Sequence, residues 1–237
     1  MGELVIDRRF RGPEDSANGG IACGLIASFA DRPVEVTLRL PPPLGVPLLV
    51  DRGSVSAGAA LVAEFAPAEL ELEVPQPPSW DEAIESQRPD VDSAFRHCFV
   101  CGVARAPDDG LHIHAGRVAE REVVAAPWVP RPDTAGAEFV WAALDCPGAY
   151  ATGVLGRGIV VLGRLAARVL RVPAPGEHCV VAGWLLARDG RKHVAGTALW
   201  SEGELLGYAR ATWIEPRPRD RLPDDGPRAD GAAAEAR

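Results

Sequence analysis

The run Phe139-Val-Trp-Ala-Ala-Leu-Asp-Cys-Pro-Gly-Ala-Tyr-Ala-Thr152 restricts the folds open to this chain more than any other segment. Phe139, Ala143, Leu144 and Ala151 recur at roughly helical spacing, which predicts a largely buried helix. One carboxylate, Asp145, stands in its middle beside the Pro147-Gly148 step, where an ionised group is costly to bury. Two readings account for it. Pro147 fits the first turn of a new helical segment, with Asp145 just ahead of it as the N-cap. Alternatively, Asp145 is a catalytic carboxylate at a helix N-terminus, where backbone N–H groups also polarise a carbonyl oxygen.

A second segment, Ile21-Ala-Cys-Gly-Leu-Ile-Ala-Ser-Phe-Ala30, is apolar all round and predicts another buried helix. Gly24 inside it lowers helix propensity and points to close packing against a sheet, and Asn18 or Ser16 supplies the N-cap. Strands are expected at 3–10, Val34–Leu40, Val46–Val50, Val55–Phe65 and Ala68–Val74. Further strands are expected at Leu111–Val118, Glu122–Trp128, Ile159–Val172, His178–Arg188, Lys192–Trp200 and Leu205–Ile214. Pro75-Gln-Pro-Pro-Ser-Trp80 and the Gln87-Arg-Pro-Asp90 step mark residues 76–109 as a linker with one helical turn and a Cys-x-x-Cys segment. The tail 216–237 has few large apolar residues and is expected to be disordered.

The order strand, buried helix, strands therefore occurs twice. Arg39-Leu-Pro-Pro-Pro-Leu-Gly45 and Arg171-Val-Pro-Ala-Pro-Gly176 both follow a post-helix strand and match with one gap. The expected class is α+β, with one unit at 1–75 and another at 110–215, each a buried helix wrapped by an antiparallel sheet. Pairing two such units covers a sheet edge that one alone would expose.

A 47% share of hydrophobic residues in 237 supports a core of this size. The net charge of −8 argues against nucleic acid or an anionic membrane surface as partner. The first ten residues contain no long apolar run, and no segment has the length of a membrane-spanning helix. Five scattered cysteines suit a reduced, cytoplasmic protein.

Three motifs resemble the hotdog-fold thioesterase superfamily in its double-hotdog form, especially the acyl-CoA thioesterase II-like group and actinobacterial relatives. Asn18-Gly-Gly20 looks like the Gly-Gly entry to the hotdog helix. His97-Cys-Phe-Val-Cys-Gly102 followed by Gly110-Leu111 is similar to a Cys-x-x-Cys-Gly…Gly-Leu segment found ahead of single-domain hotdog thioesterases. Leu144-Asp145 matches the helix-borne acid. The first helix carries the glycines without a carboxylate, and the second carries Asp145 without a Gly-Gly before it. The resemblance therefore implies a composite site using both helices, or a fold that binds acyl groups without cleaving them.

Thioester hydrolysis requires an activated water or a carboxylate nucleophile, and an oxyanion stabiliser. Asp145 is the candidate for the first role, as base or nucleophile. Backbone N–H groups at Gly19 and Gly20, or around Gly148, are candidates for the second, because glycine lets the backbone approach the carbonyl. Thr152 positions water or is a satisfied helix hydroxyl. Asn18 is a cap first and an amide donor second. Trp141 and Tyr150 line an acyl tunnel or are ordinary core. Cys98 and Cys101, with His97 before them and His112 and His114 nearby, raise a zinc reading. A full four-ligand set is not evident in the sequence, so a structural turn with packed thiols is expected, with no metal and no cofactor. The expected partner is a small-molecule acyl thioester, with a homo-oligomer left open.

Overall fold

Strands from both ends of the chain join in one antiparallel sheet. The computed structural model describes residues 1–13, 15–88, 95–155 and 158–217. The expected disordered tail lies outside the described residues from 218 onward, as do residues 89–94 of the 76–109 segment.

In chain order the strands are β1 (Gly2–Val5), β2 (Val34–Leu38), β3 (Pro47–Asp51), β4 (Ser54–Ala57), β5 (Ala60–Pro67), β6 (Gly116–Arg117), β7 (Val124–Trp128), β8 (Val161–Val169), β9 (Cys179–Asp189), β10 (Lys192–Ser201) and β11 (Glu204–Ile214). The helices are α1 (Gly19–Ala27), α2 (Trp80–Ser86), α3 (Ala137–Ala143) and α4 (Cys146–Ala151). Across the sheet the order is β1-β3-β4-β5-β2-β8-β11-β10-β9-β7-β6. The order β1-β3-β4-β5-β2 thus recurs, offset by six strands, as β7-β9-β10-β11-β8. The two runs meet where Glu35, Val36 and Thr37 of β2 pair with Ala166, Leu165 and Arg164 of β8. An Arg164–Glu35 ion pair at 3.1 Å spans the same join.

The sequence echo also has a structural counterpart. After β2, the N–H groups of Arg39 and Leu40 both bond Val62 O; after β8, those of Leu170 and Arg171 both bond Leu206 O.

α1 is buried along most of its length, with Ile21, Ala22, Cys23 and Ile26 fully enclosed. Its glycines bring it against α3. A Cβ on Gly20 would lie 2.5 Å from Asp145 Cβ and 2.8 Å from Trp141 O, and one on Gly24 would lie 2.9 Å from Glu138 Cα and Trp141 Cβ. Two helix backbones approach this closely only where one lacks side chains.

Several strand and helix expectations change. The 139–152 run is two helices, because the chain breaks at Leu144-Asp145 before Pro147, which starts α4 within its first turn. Val55–Phe65 is the β4–β5 hairpin, turned at Gly58 with φ +56°. In Leu111–Val118 only Gly116 and Arg117 join the sheet. His112 has φ +54°, and the N–H groups of Leu111 and Ile113 go to Phe99 O and Val100 O instead. Ala68–Val74 forms no strand; Leu70 is buried, and Leu72 and Val74 pack without a ladder against the cluster that holds Trp184 and Trp200.

The 76–109 segment is docked at both ends. Ser79 and Glu82 cap α2 reciprocally, and Ser86 Oγ donates to Ala125 O at 2.9 Å on β7. Phe99 is fully buried, edge-on to Phe10 at 5.0 Å, with the guanidinium groups of Arg9 and Arg105 about its ring.

Gly24→Val is expected to destabilise the protein by about 1–3 kcal/mol through overpacking, which is a fall of several degrees in Tm for a chain of this size. Thermal unfolding of the purified variant checks this. A Tm equal to the wild type would show that α1 and α3 do not need their close approach.

Candidate functional site

The N-terminus of α1 and the break between α3 and α4 meet in the interior. Asn18 caps α1: its Oδ1 accepts from the Ile21 N–H at 3.0 Å. Its Nδ2 donates to Asp145 Oδ2 at 2.9 Å, and the Gly20 N–H donates to the same oxygen at 3.0 Å. Asp145 therefore does not cap α4 with its side chain, as one reading of the sequence had it. It sits instead at the start of the helix from the other end of the chain, where the dipole and a free N–H favour a carboxylate.

The other oxygen, Asp145 Oδ1, is buried and without a hydrogen-bond partner among the described residues. Burial is the largest cause that pushes this carboxyl up to about 7; the Gly20 N–H pulls it down, the Cys98 sulfur adds to the rise, and the Asn18 amide opposes it.

Asp145 lines a cavity of about 630 Å³ together with Asn18, Gly19 and Tyr150. Leu38, Leu40, Phe95, Leu155, Val160 and Leu162 give the rest of its wall a mainly apolar character. The Gly19 N–H, in the first turn of α1, carries no hydrogen bond among the described residues. Tyr150 borders the same cavity, with its hydroxyl pKa raised by burial.

Three candidates from the sequence stand elsewhere. Trp141 faces α1 at Gly24 and borders a different groove with Glu138 and Val169. Gly148 donates its N–H to Asp145 O at 3.0 Å and packs under Trp213, where a Cβ would lie 2.8 Å from Nε1, so that N–H is spent. Thr152 Oγ1 donates to Ala149 O at 2.6 Å and accepts from the Val154 N–H at 3.2 Å, a satisfied helix-end hydroxyl.

The structure adds a group that the linear sequence does not assemble. Cys146, the first residue of α4, joins Cys98 and Cys101, and the three sulfurs lie within 4.8 Å of one another on the wall of the same cavity. Hydrogen bonding with the Cys101 and Cys146 thiols holds Cys98 well below the ordinary thiol range, despite burial, with help from the backbone N–H groups of Cys101 and Val100. His97, His112 and His114 are outside this group. His112 Nε2 is engaged with Ala106 O at 3.0 Å. The visible signals were the Cys-x-x-Cys spacing and a cysteine next to Asp145; nothing in the spacing links them.

No protein-family profile matches this chain, and no curated protein matches it. Solved structures are. A protein of Thermobifida fusca YX named as a candidate thioesterase II is 14% identical, with a TM-score of 0.59 over 91% of this chain and 92% of that one. A tesB protein of Mycobacterium avium subs paratuberculosis is 14% identical, with a TM-score of 0.56 over 91% of this chain and 92% of that one. A conserved protein of unknown function with a hot dog fold, from Alicyclobacillus acidocaldarius, is 12% identical, with a TM-score of 0.58 over 91% and 93% of the two chains. This chain therefore has the hotdog fold over nearly its whole length. Among the described residues, no helix is long and apolar enough to cross a membrane.

Asn18 both caps α1 and holds Asp145, and two substitutions separate these roles. Asn18→Ser keeps a capping oxygen and loses the amide donor, whereas Asn18→Ala loses both. Urea denaturation is expected to place Asn18→Ala below Asn18→Ser by about 1 kcal/mol, the usual worth of a cap, with both below the wild type.

Proposed function

We propose that this chain is two tandem hotdog units that hydrolyse an acyl thioester, carried by coenzyme A or a carrier protein, with Asp145 as the catalytic acid/base group. The observation that carries this reading is that Asp145 lines a mainly apolar cavity while its Oδ1, a buried carboxylate oxygen, has no hydrogen-bond partner among the described residues. The recurring strand order supports the two-unit arrangement. The thioesterase name of the Thermobifida fusca neighbour agrees with it as analogy.

In this mechanism the acyl chain lies along the apolar wall, with Tyr150 as one of its neighbours, and the thioester carbonyl points at the Gly19 N–H. That N–H, reinforced by the α1 dipole, stabilises the oxyanion that develops on the carbonyl oxygen. Asp145 Oδ1 takes a proton from water as the water oxygen bonds to the carbonyl carbon. The C–S bond then breaks, and the proton passes from Asp145 to the departing sulfur, leaving a carboxylic acid and a thiol. Direct attack by Oδ1 on the carbonyl, giving an anhydride that water opens, uses the same oxygen and the same products. Asn18 and the Gly20 N–H hold Oδ2 in either route, so that only Oδ1 is presented to substrate.

A non-catalytic acyl-binding module is the second reading. It is favoured by the depth of Asp145, which is only 2% exposed and already serves α1 as a hydrogen-bond acceptor.

Thiol release from a panel of acyl-CoA substrates tests both. Asp145→Asn preserves an acceptor for the Gly20 N–H and is expected to leave Tm within a few degrees. Hydrolysis is expected to fall by roughly a hundredfold or more, since an amide is neither base nor nucleophile. A stable, fully active variant would remove Asp145 from the reaction. A wild type that is stabilised by acyl-CoA yet releases no thiol would establish the binding module instead.

A further inference from the structure

The three thiols bordering the cavity are unexplained by thioester hydrolysis. Cys98 and Cys101 come from the turn ahead of β6, and Cys146 comes from the first residue of α4, 48 positions beyond Cys98. The separation between Cys98 Sγ and Cys146 Sγ is 3.9 Å. Two thiolates on one tetrahedral zinc, each about 2.3 Å from the metal, stand about 3.8 Å apart. A disulfide would need the pair at about 2.05 Å and would leave the third sulfur over.

The surroundings are those of a ligand set rather than of packed apolar thiols. The Asn18 amide reaches Cys98 Sγ at 3.7 Å and Cys146 Sγ at 3.9 Å. N–H donors directed at sulfur orient a metal-bound thiolate and offset its charge. The turn is closed by the Gly102 N–H on Cys98 O at 2.8 Å, and a Cβ on Gly102 would lie 2.4 Å from that oxygen. Gly102 is thus needed for the tight turn that brings Cys98 and Cys101 to one point.

We propose that Cys98, Cys101 and Cys146 bind one Zn²⁺ ion as three thiolates, with the fourth tetrahedral position facing the cavity. Thiolate sulfur selects for zinc over the hard oxygen-seeking cations. Among the described residues no fourth histidine, cysteine or carboxylate joins the group, so the remaining position falls to water or to a ligand entering from the cavity. Binding releases the thiol protons to solvent and changes no oxidation state. The ion would tie the start of α4, one residue past Asp145, to the Cys98–Cys101 turn. This site goes beyond the thioesterase reading and does not depend on it.

The test uses the full chain, purified, reduced, stripped with a chelator and then titrated with Zn²⁺ or Co²⁺. The expected result is one Zn²⁺ per chain by elemental analysis and native mass spectrometry. The Co²⁺ form should show sulfur-to-cobalt charge transfer and the visible bands of a tetrahedral site. Cys146→Ser is expected to weaken Zn²⁺ binding by about a hundredfold or more, since even outer-shell changes cost up to that much, whereas Cys23→Ala retains it. If Cys146→Ser does not fold, the wild-type stoichiometry and the cobalt charge-transfer intensity, which counts thiolates, decide the matter. Natively folded, reduced protein that takes up no Zn²⁺, Cys23→Ala losing the ion as Cys146→Ser does, or a Cys98–Cys146 disulfide in its place would each overturn the proposal. Loss of thioester hydrolysis with zinc still bound bears on the function alone.

Discussion

Asp145 and the N-terminus of α1 depend on each other, and the interior is arranged around that dependence. A carboxylate this deep is costly unless donors meet it. The Asn18 amide and the Gly20 N–H do so across 127 and 125 positions of sequence. The Gly20 N–H belongs to the first turn of α1, which has no acceptor within its own helix. These bonds therefore meet one oxygen of a buried acid and one N–H of a buried helix end together, and among the described residues leave Asp145 Oδ1 and the Gly19 N–H without partners. It also fixes how closely the helices approach, which is why side chains are missing from α1 at Gly20 and Gly24.

The two ends of the chain contribute unlike parts. The β1-to-β2 region brings the capped helix start, with its N–H groups and glycines but no acid. The β7-to-β8 region brings the acid on a broken helix, whose Gly148 N–H is already spent on Asp145 O. Among the described residues, neither region alone is seen to bring both an acid and an available N–H to the cavity. The β2–β8 join lets one sheet carry both at a fixed separation. The Cys98–Cys101 turn enters from the connection between them and is pinned by Phe99 against Phe10 and Phe139. Thiols, acid and helix start consequently face the same cavity.

Much of this architecture was visible in local pattern. Alternation over Val34–Leu38 marks a half-buried strand, whose side chains answer to a period of two wherever it lies; the burial of β11 alternates in the same way, whereas β9 is buried through its first six residues and β10 through its last seven. The uniformly apolar α1, its Asn18 cap and the entry of Pro147 into α4 are equally local, because capping and proline geometry act over a few residues. Where local pattern misled, a distant partner had taken over. In the alternating Ala68–Val74, Leu72 and Val74 pack against the Trp184–Trp200 cluster and the segment forms no strand, and Leu111 and Ile113 give their N–H groups to the Cys98–Cys101 turn.

At the site, the sequence alone determined that Asp145 is an acid set among apolar residues, that Asn18 opens a buried helix, and that Cys98 and Cys101 share a turn. Tertiary structure alone decided that Asn18 holds Asp145, that Trp141 and Thr152 stand outside the cavity, and that Cys146 completes a cluster of three thiols. The reason is physical. Periodicity, capping and turn chemistry are short-range and leave their mark on neighbouring residues. The meeting of groups 48 or 127 positions apart is set by which strands pair and how closely two helices can pack, and no local preference encodes that distance.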